Sequence, residues 1–502
     1  METKMNSVKL GENMAYQIAL FLFSALFVLV HSTSTSFLYP YPETGDSFVF
    51  QTIGKFWVDG VIPYRDLFDN KGPFLYAMNA LGYWLTDSRT GLLIVQIPIF
   101  YLLSVITFRF MRLGFNSKTS FGITLILLLG LSLGYNGGNN ACEYGMPLLV
   151  LSSYLFYKWL QQPFESTKNH PLQYSFVYGF TIGICLLTRA SNSLIIFILL
   201  AYVLFHELTH KQFRSLFQNL LTAAAGTLAI CLPFVLYFYA NDALDDLYYS
   251  VIACNFNYLR TTGLMIPPMH LKRAAALLCA YVNLLTFLGL AVLQIFAYFR
   301  KHTILWLIIS VVCIVFFLRT NCYPNYAHIC FPLAIIALLE VKRLFKEVYH
   351  KQYLKRLACS VAFIILAVNG FNGIYSATKN ALHDSTPQKN LYTAYDSILK
   401  DLPKDGYSSF IGYDILPEMY LRWNIRPCYR FFALQSFSRS YNPAIYKQTK
   451  EEFMNGDAQW ILLNEKPGLS GEIRKVLEEK YEVVNRVKSE GGELVMFRRV
   501  GE

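Results

Sequence analysis

Between Ile62 and Tyr76 the chain reads IPYRDLFDNKGPFLY, and Arg65, Asp66, Asp69 and Lys71 fall within one short stretch of it. Carboxylates interleaved with fixed cations suit a reaction in which a hydroxyl loses its proton while a phosphate departs. The carboxylate takes the proton, and Arg or Lys neutralises the phosphate oxygens. Further groups of the same kind stand at Asp46 and Asp59, at Glu143 in GGNNACEYGMPL, at Arg189 in LLTRASN, and at Arg319 and His328 in RTNCYPNYAHICFPL. Most of them border long apolar runs, where an ionisable side chain is costly and is therefore paired or functional. Each also has a plainer reading. Asp46 stands where a helix N-cap would, Asp66 and Asp69 are turn formers, and Lys71 can snorkel toward lipid headgroups. Glu143 can cap the following helix, Arg189 can pair with a headgroup, and His328 can be an interfacial, hydrogen-bonded histidine.

The elements that must position these groups are membrane helices. The 502 residues are 54% hydrophobic and only 15% charged, where a soluble domain carries about 25% charge. Apolar runs of about 15–25 residues, separated by short charged loops, predict an α-helical polytopic membrane protein with about 11 transmembrane helices. The spans fall near 14–34, 91–108, 119–134, 145–160, 172–187, 192–206, 216–240, 273–298, 303–318, 326–341 and 357–374. With a cytoplasmic N-terminus, every inside loop is basic, VKRLFKEVYHKQYLKR most of all, and the acidic clusters lie outside. The first run reads as a retained helix that also directs insertion. KGPFLYAMNALGYWL (71–85) is too short to cross and reads as a re-entrant or interfacial helix. An amphipathic helix over 47–59 accompanies it in the first outside loop, and Gly60 and Pro63 stop it.

The C-terminal part changes character. YSSFIGY, QWILLNE, YEVVNRV and ELVMFRRV read as strands; NPAIYKQTKEEFMNG and SGEIRKVLEEKYE read as helices, the second with Ser470 as N-cap. The expected organisation is a transmembrane domain, 1–375, followed by a small extracytoplasmic α/β domain within 376–502. The net charge of +11 does not indicate nucleic acid: from residue 376 onward 18 Lys/Arg face 17 Asp/Glu, and the surplus lies in alternate loops of the membrane portion. Ten cysteines are scattered without CxxC or metal-type spacing, so neither a disulfide framework nor a zinc site is inferred.

GDSFVFQTIGKFWVDGVIPYRDLFDNKGPFLY resembles the first outside loop of the C-type glycosyltransferase superfamily (GT-C). These integral-membrane enzymes take a sugar from a polyprenyl-phosphate carrier; members include protein O-mannosyltransferases and the transferase that adds aminoarabinose to lipid A. GGNNACEYGMPL, LLTRASN and YPNYAHICFPL resemble later motifs of the bacterial branch. The resemblance covers about residues 1–375. It implies that Asp46 is the catalytic base toward an acceptor hydroxyl and that Lys71 contacts the carrier phosphate. Arg65 and Arg189 are further phosphate contacts, while Asp66, Asp69, Glu143 and His328 shape the loop or orient the acceptor. Two positions depart from the pattern: Gly72 replaces the first proline of a K-P-P motif, and Ser47 stands where many relatives carry a second acid. No metal ligand is assigned, and a divalent cation stays open.

The activity implied is transfer of a hexosyl or pentosyl group from a polyprenyl-phosphate sugar to a lipid, glycan or protein hydroxyl, with inversion, on the outer face of the cell inner membrane. A transporter or flippase of lipid-linked glycans is the alternative, and a polysaccharide polymerase or ligase another. Against a transporter, the ionisable groups sit in outside loops and the halves show no inverted symmetry.

Overall fold

The computed structural model describes residues 2–262 apart from 44 and 163–168, then 302–318, 324–347, 352–382, 384–438, 441–442, 444–455, 458–465, 471–489 and 492–500. The predicted span 273–298, Arg319 and Ser470 lie outside the described residues. The chain is a multi-pass membrane protein, mostly helical. Five described helices are long and apolar enough to cross a bilayer: Met14–His31, Gly91–Met111, Ala190–Thr209, Phe213–Ala240 and Cys359–Ala381. Ser117–Leu129, Leu172–Leu186 and Thr303–Cys313 are apolar but shorter. The chain divides into two compact units.

The first unit comprises 1–32, which contains α1 (Glu2–His31), together with 93–233 and 264–382. Its core gathers Phe27, Phe100, Leu127, Phe156, Ile196 and Leu338 from helices distant in sequence. Hydroxyls inside these helices bond the carbonyl one turn back, as Ser24 does to Leu20, Ser153 to Leu149 and Thr181 to Val177, since an apolar surround offers no water. Two helices meet through small residues. A Cβ on Gly179 would overlap the Ala223 carbonyl, one on Gly226 would overlap the Phe176 carbonyl, and Thr227 Oγ1 donates to Gly179 O at 2.9 Å. This close backbone approach is the small-residue packing that holds helices together where the hydrophobic effect does not discriminate.

Of the helix boundaries that differ from the sequence reading, two have a visible reason. The expected helix 119–134 is two pieces, Ser117–Leu129 and Ser132–Tyr135, and at the break Gly130 lies so close to the Asn369 side chain that a Cβ would overlap it. The last helix continues past 374 to Ala381. Its polar end is tied down: Asn380 Nδ2 donates to Val30 O at 3.1 Å, and Ser376 Oγ lies 3.3 Å from His31 Nδ1.

The second unit comprises 33–92, 234–263 and 383–502. Here α2 (Asp46–Val58) and α3 (Pro73–Thr86) lie within a residue or two of the stretches whose periodicity predicted them. They pack so closely that a Cβ on Gly54 would press against Asn79. Tyr83 Oη donates to Gln51 Oε1 at 3.1 Å across the pair, and Lys55 bridges Asp59 (3.4 Å) and Asp87 (2.6 Å). Among the described residues four strands form one sheet: β1 (Phe410–Tyr413), β2 (Trp460–Glu465), β3 (Tyr481–Ser489) and β4 (Gly492–Arg499), in the order β1-β2-β4-β3. β1 runs parallel to β2; β4 is antiparallel to both β2 and β3. The core under the sheet takes Ile411, Ile461, Leu463, Val495 and Phe497 from the strands, and also Phe68 and Cys254 from the two earlier segments. The segment after residue 240, which follows the expected span 216–240, carries helix Leu244–Tyr248, a π turn Tyr249–Ala253 and helix Cys254–Thr262.

Candidate functional site

The second unit holds Asp46, Arg65, Asp66, Asp69 and Lys71. Asp46 opens α2, but the N-cap is Gly45, in extended conformation and without a side-chain cap bond. The Asp46 side chain is exposed, and among the described residues it makes no hydrogen bond or ion pair. The carboxylate is thus available to an incoming group.

The stretch after α2 folds into a tight loop. Tyr64 adopts φ 69°, a costly conformation for a bulky residue. It is held there by its N–H donating to Leu67 O (2.8 Å), by Asp66 N–H donating to Ile62 O (3.0 Å), and by complete burial of its ring. Asp66 accepts the Ile62 N–H at 2.8 Å and pairs with Arg65 at 2.9 Å. Burial pushes the Asp66 carboxyl up, but the hydrogen bonds from Arg65 and Ile62 and the charges of Arg65 and Arg426 bring it below the usual range. Arg65 also donates to Asn241 O at 3.1 Å. Asp66 therefore closes the loop onto Ile62, and Arg65 ties it to Asn241.

Asp69 and Lys71 sit on the other side of that loop, among tyrosines. Tyr76 Oη donates to Asp69 Oδ2 at 2.7 Å, and Tyr64 Oη donates to the Lys71 carbonyl at 2.7 Å. Burial, followed by the Asp69 charge, raises both phenols well above their ordinary value, so both remain donors. Lys71 Nζ donates to Asn70 Oδ1 at 2.6 Å. Lys71 stands directly before Gly72, the N-cap of α3, with Pro73 as first helical residue. A lysine beside the positive end of a helix dipole is suited to an anion. The tyrosines and Asn70 were not singled out in the sequence, although all three lie within seven residues of Lys71 in the same stretch; that closeness was the signal available.

The first unit holds Glu143, Arg189 and His328. Residues 136 to 139 have φ values of 46°, 81°, 76° and 52°, four left-handed residues in a row, which explains Asn-Gly-Gly-Asn there. The turn aims the Asn139 N–H at Glu143 Oε2 (2.7 Å), while Tyr135 Oη (2.6 Å) and Gln96 Nε2 (3.0 Å) donate to Oε1. Burial raises the Glu143 carboxyl above the usual range, and these hydrogen bonds, with one from the Asn140 backbone, hold it back. Glu143 is engaged with its own loop; the helix cap it could have supplied is Gly145. Arg189 stacks its guanidinium 3.3 Å from the Tyr326 ring centroid and reaches Cys142 Sγ at 3.8 Å. His328 is 3% exposed and its Nε2 lies 3.4 Å from Leu131 O. It lines a small apolar pocket with Phe100, Leu131, Tyr135 and Glu143.

His206, Glu207 and His210 have the H-E-x-x-H spacing of zinc proteases. Glu207 is instead spent on Ser215 Oγ (2.6 Å), Asn219 Nδ2 (2.8 Å) and the His170 N–H (3.3 Å). Among the described residues no three His, Cys, Asp or Glu side chains are arranged to hold a metal ion.

Residues 5–371 match the protein family described as "Putative competence-induced protein Ccs4 N-terminal domain". The chain belongs to that family. No curated protein matches this Ccs4-family chain in sequence. Two crystal structures of ArnT from Cupriavidus metallidurans are similar to it in fold. The one bound to undecaprenyl phosphate has a TM-score of 0.57 at 12% identity, covering 98% of each chain. The apo structure has a TM-score of 0.57 at 13% identity, covering 95% of this chain and 97% of that one. The Ccs4-family chain thus shares its overall fold with ArnT.

Proposed function

We propose that this chain is a glycosyltransferase that moves a sugar from a polyprenyl-phosphate carrier to a hydroxyl acceptor at the outer face of the cell inner membrane. The observation that carries the proposal is the likeness of fold to ArnT over nearly the whole of both chains, one ArnT structure holding undecaprenyl phosphate. Lys71, at the start of α3, is the phosphate contact: its ammonium and the helix dipole both favour an anion. Asp46, exposed at the start of α2, is the base that accepts the hydroxyl proton as that oxygen attacks the anomeric carbon and the carrier phosphate leaves. Direct displacement inverts the anomeric configuration. Arg65 ties the loop to a distant segment and is not assigned to the phosphate, since Asp66 and Asn241 occupy its guanidinium. The topology of about 11 spans, with N-terminus inside and the sheet-bearing region outside, belongs to the same proposal.

Physically, a transferase facing outward needs a donor that the membrane itself delivers, and a polyprenyl phosphate places its charge where interfacial cations reach it. The test compares envelope glycans and lipids by mass spectrometry in cells lacking the protein, complemented with wild type or with Asp46→Asn. One sugar is expected to be missing without the protein, restored by wild type and not by Asp46→Asn at equal membrane abundance. Unchanged glycans, or full restoration by Asp46→Asn, overturns the proposal.

A further inference from the structure

Two segments far apart in sequence are plugged into the core beneath the sheet, one by Phe68 and the other by Cys254, which is fully buried. Phe68 is fastened in three ways. Its N–H donates to Arg430 O at 2.9 Å, its ring meets Phe431 edge-on at 5.0 Å, and the Arg430 guanidinium lies 6.0 Å from its centroid. Arg430 is itself held by Asp246 at 2.8 Å. Directly beyond the two plugs the segments clasp each other. Asn255 Nδ2 donates to Asn70 O at 2.7 Å, and Asn70 Nδ2 donates to Asn255 Oδ1 at 3.4 Å. Asn255 is in turn fixed to its own helix by donating to Val251 O at 2.8 Å.

The clasp has a chemical consequence. An asparagine amide offers its donor on one side and its acceptor on the other. With Asn70 Nδ2 turned toward Asn255 Oδ1, Asn70 Oδ1 must face the other way, and that is the oxygen Lys71 Nζ donates to. Were the amide reversed, its N–H groups would confront the ammonium. Tyr441, buried against Tyr258 and anchored to Ser438 at 3.0 Å, lies within electrostatic reach of Lys71 and Asp69.

We propose that the sheet-bearing region is a working part of the donor site, with Asn255 and Phe68 as positioning residues: Phe68 fixes the loop, and Asn255 fixes the Asn70 amide that aims the Lys71 ammonium. The inference rests on the reading of Lys71 as the phosphate contact, and goes beyond it by naming what holds Lys71 in place. Neither residue touches the donor.

The test is a double-mutant cycle on the full-length protein in detergent, with undecaprenyl phosphate as titrant and the dissociation constant as readout. Asn255→Ala is expected to weaken binding about tenfold, as loss of orientation of a charge-assisted contact would, and to have no further effect in a Lys71→Ala background. Phe68→Leu, which keeps an apolar plug but loses the ring contacts, is expected to act in the same direction and equally through Lys71. Should Asn255→Ala fail to accumulate, Asn255→Ser, too short to reach both Asn70 groups, replaces it under the same criteria. Full affinity in the Asn255 variant, or a loss that persists undiminished in the Lys71→Ala background, overturns the inference. Unchanged affinity in Lys71→Ala alone refutes instead the reading on which it rests.

Discussion

Glu418 provides a quantitative test of how the second unit is held together. It lies at the start of the short helix Glu418–Arg422, is 3% exposed, and neither carboxyl oxygen has a hydrogen-bond partner among the described residues. The preceding residue accepts a hydrogen bond from α2, Thr52 Oγ1 to Pro417 O at 3.3 Å. The Tyr392 hydroxyl lies alongside, short of normal hydrogen-bond geometry, with Arg89 and Arg422 facing the same tyrosine. Burial pushes the Glu418 carboxyl from its ordinary 4.5 up to about 8. Between those values the folded chain keeps a proton that the unfolded chain releases. Stability is therefore whole below pH 4.5 and falls as pH rises toward 8. At 1.36 kcal/mol per pKa unit the loss is about 5 kcal/mol. Glu418→Gln mimics the protonated acid and cannot ionise. Thermal unfolding in detergent, from pH 5 to pH 9 at fixed ionic strength, should show wild type losing stability across this window relative to Glu418→Gln. The variant should be the more stable protein at pH 8. Parallel profiles would refute the argument, because groups shared by both proteins cancel in the comparison.

Three further outcomes follow from contacts in the two units. Gly179→Val drives a branched side chain into the Ala223 carbonyl, and should cost about 1–3 kcal/mol or more, seen as a lower melting temperature and reduced membrane accumulation. Tyr135→Phe removes the 2.6 Å donor to the buried Glu143; it should destabilise by about 1–3 kcal/mol, more at pH 8 than at pH 5, and Tyr135→Phe combined with Glu143→Gln should recover part of the loss. Phe68→Ala should cost about 3–5 kcal/mol by leaving a cavity under the sheet, read by thermal unfolding.

What the sequence made legible was local. The stretch 47–59 carries a 3.6-residue apolar rhythm, and α2 occupies Asp46–Val58; the short apolar run after Lys71 is α3, begun by Pro73. The four expected strands all pair into one sheet, since alternation, branched residues and turn signals act within a few residues. What was not legible depends on contacts between distant segments. Asn70 and Asn255 are 185 residues apart, and nothing near either predicts the other. Phe68, with no local pattern to mark it as core, lies under a sheet whose strands begin at residue 410. Glu418, in DILPEMY, has the appearance of a surface acid and is buried by packing no local pattern encodes. The GGNN run was noted as a motif, but its purpose, a left-handed turn wrapped on Glu143, shows only in the backbone angles.

The most direct measurement is release of free polyprenyl phosphate when purified protein is incubated with the lipid-linked sugars extracted from its own membranes, followed by mass spectrometry of the lipid fraction. Steady release by the wild-type chain is expected in the presence of an envelope acceptor fraction. Loss of at least a hundredfold in rate, at unchanged donor binding, is expected for Asp46→Asn, as removal of a general base entails (roughly 10²–10⁴-fold). Equal release by wild type and Asp46→Asn, or intact lipid-linked sugars in both, would contradict the proposed transfer.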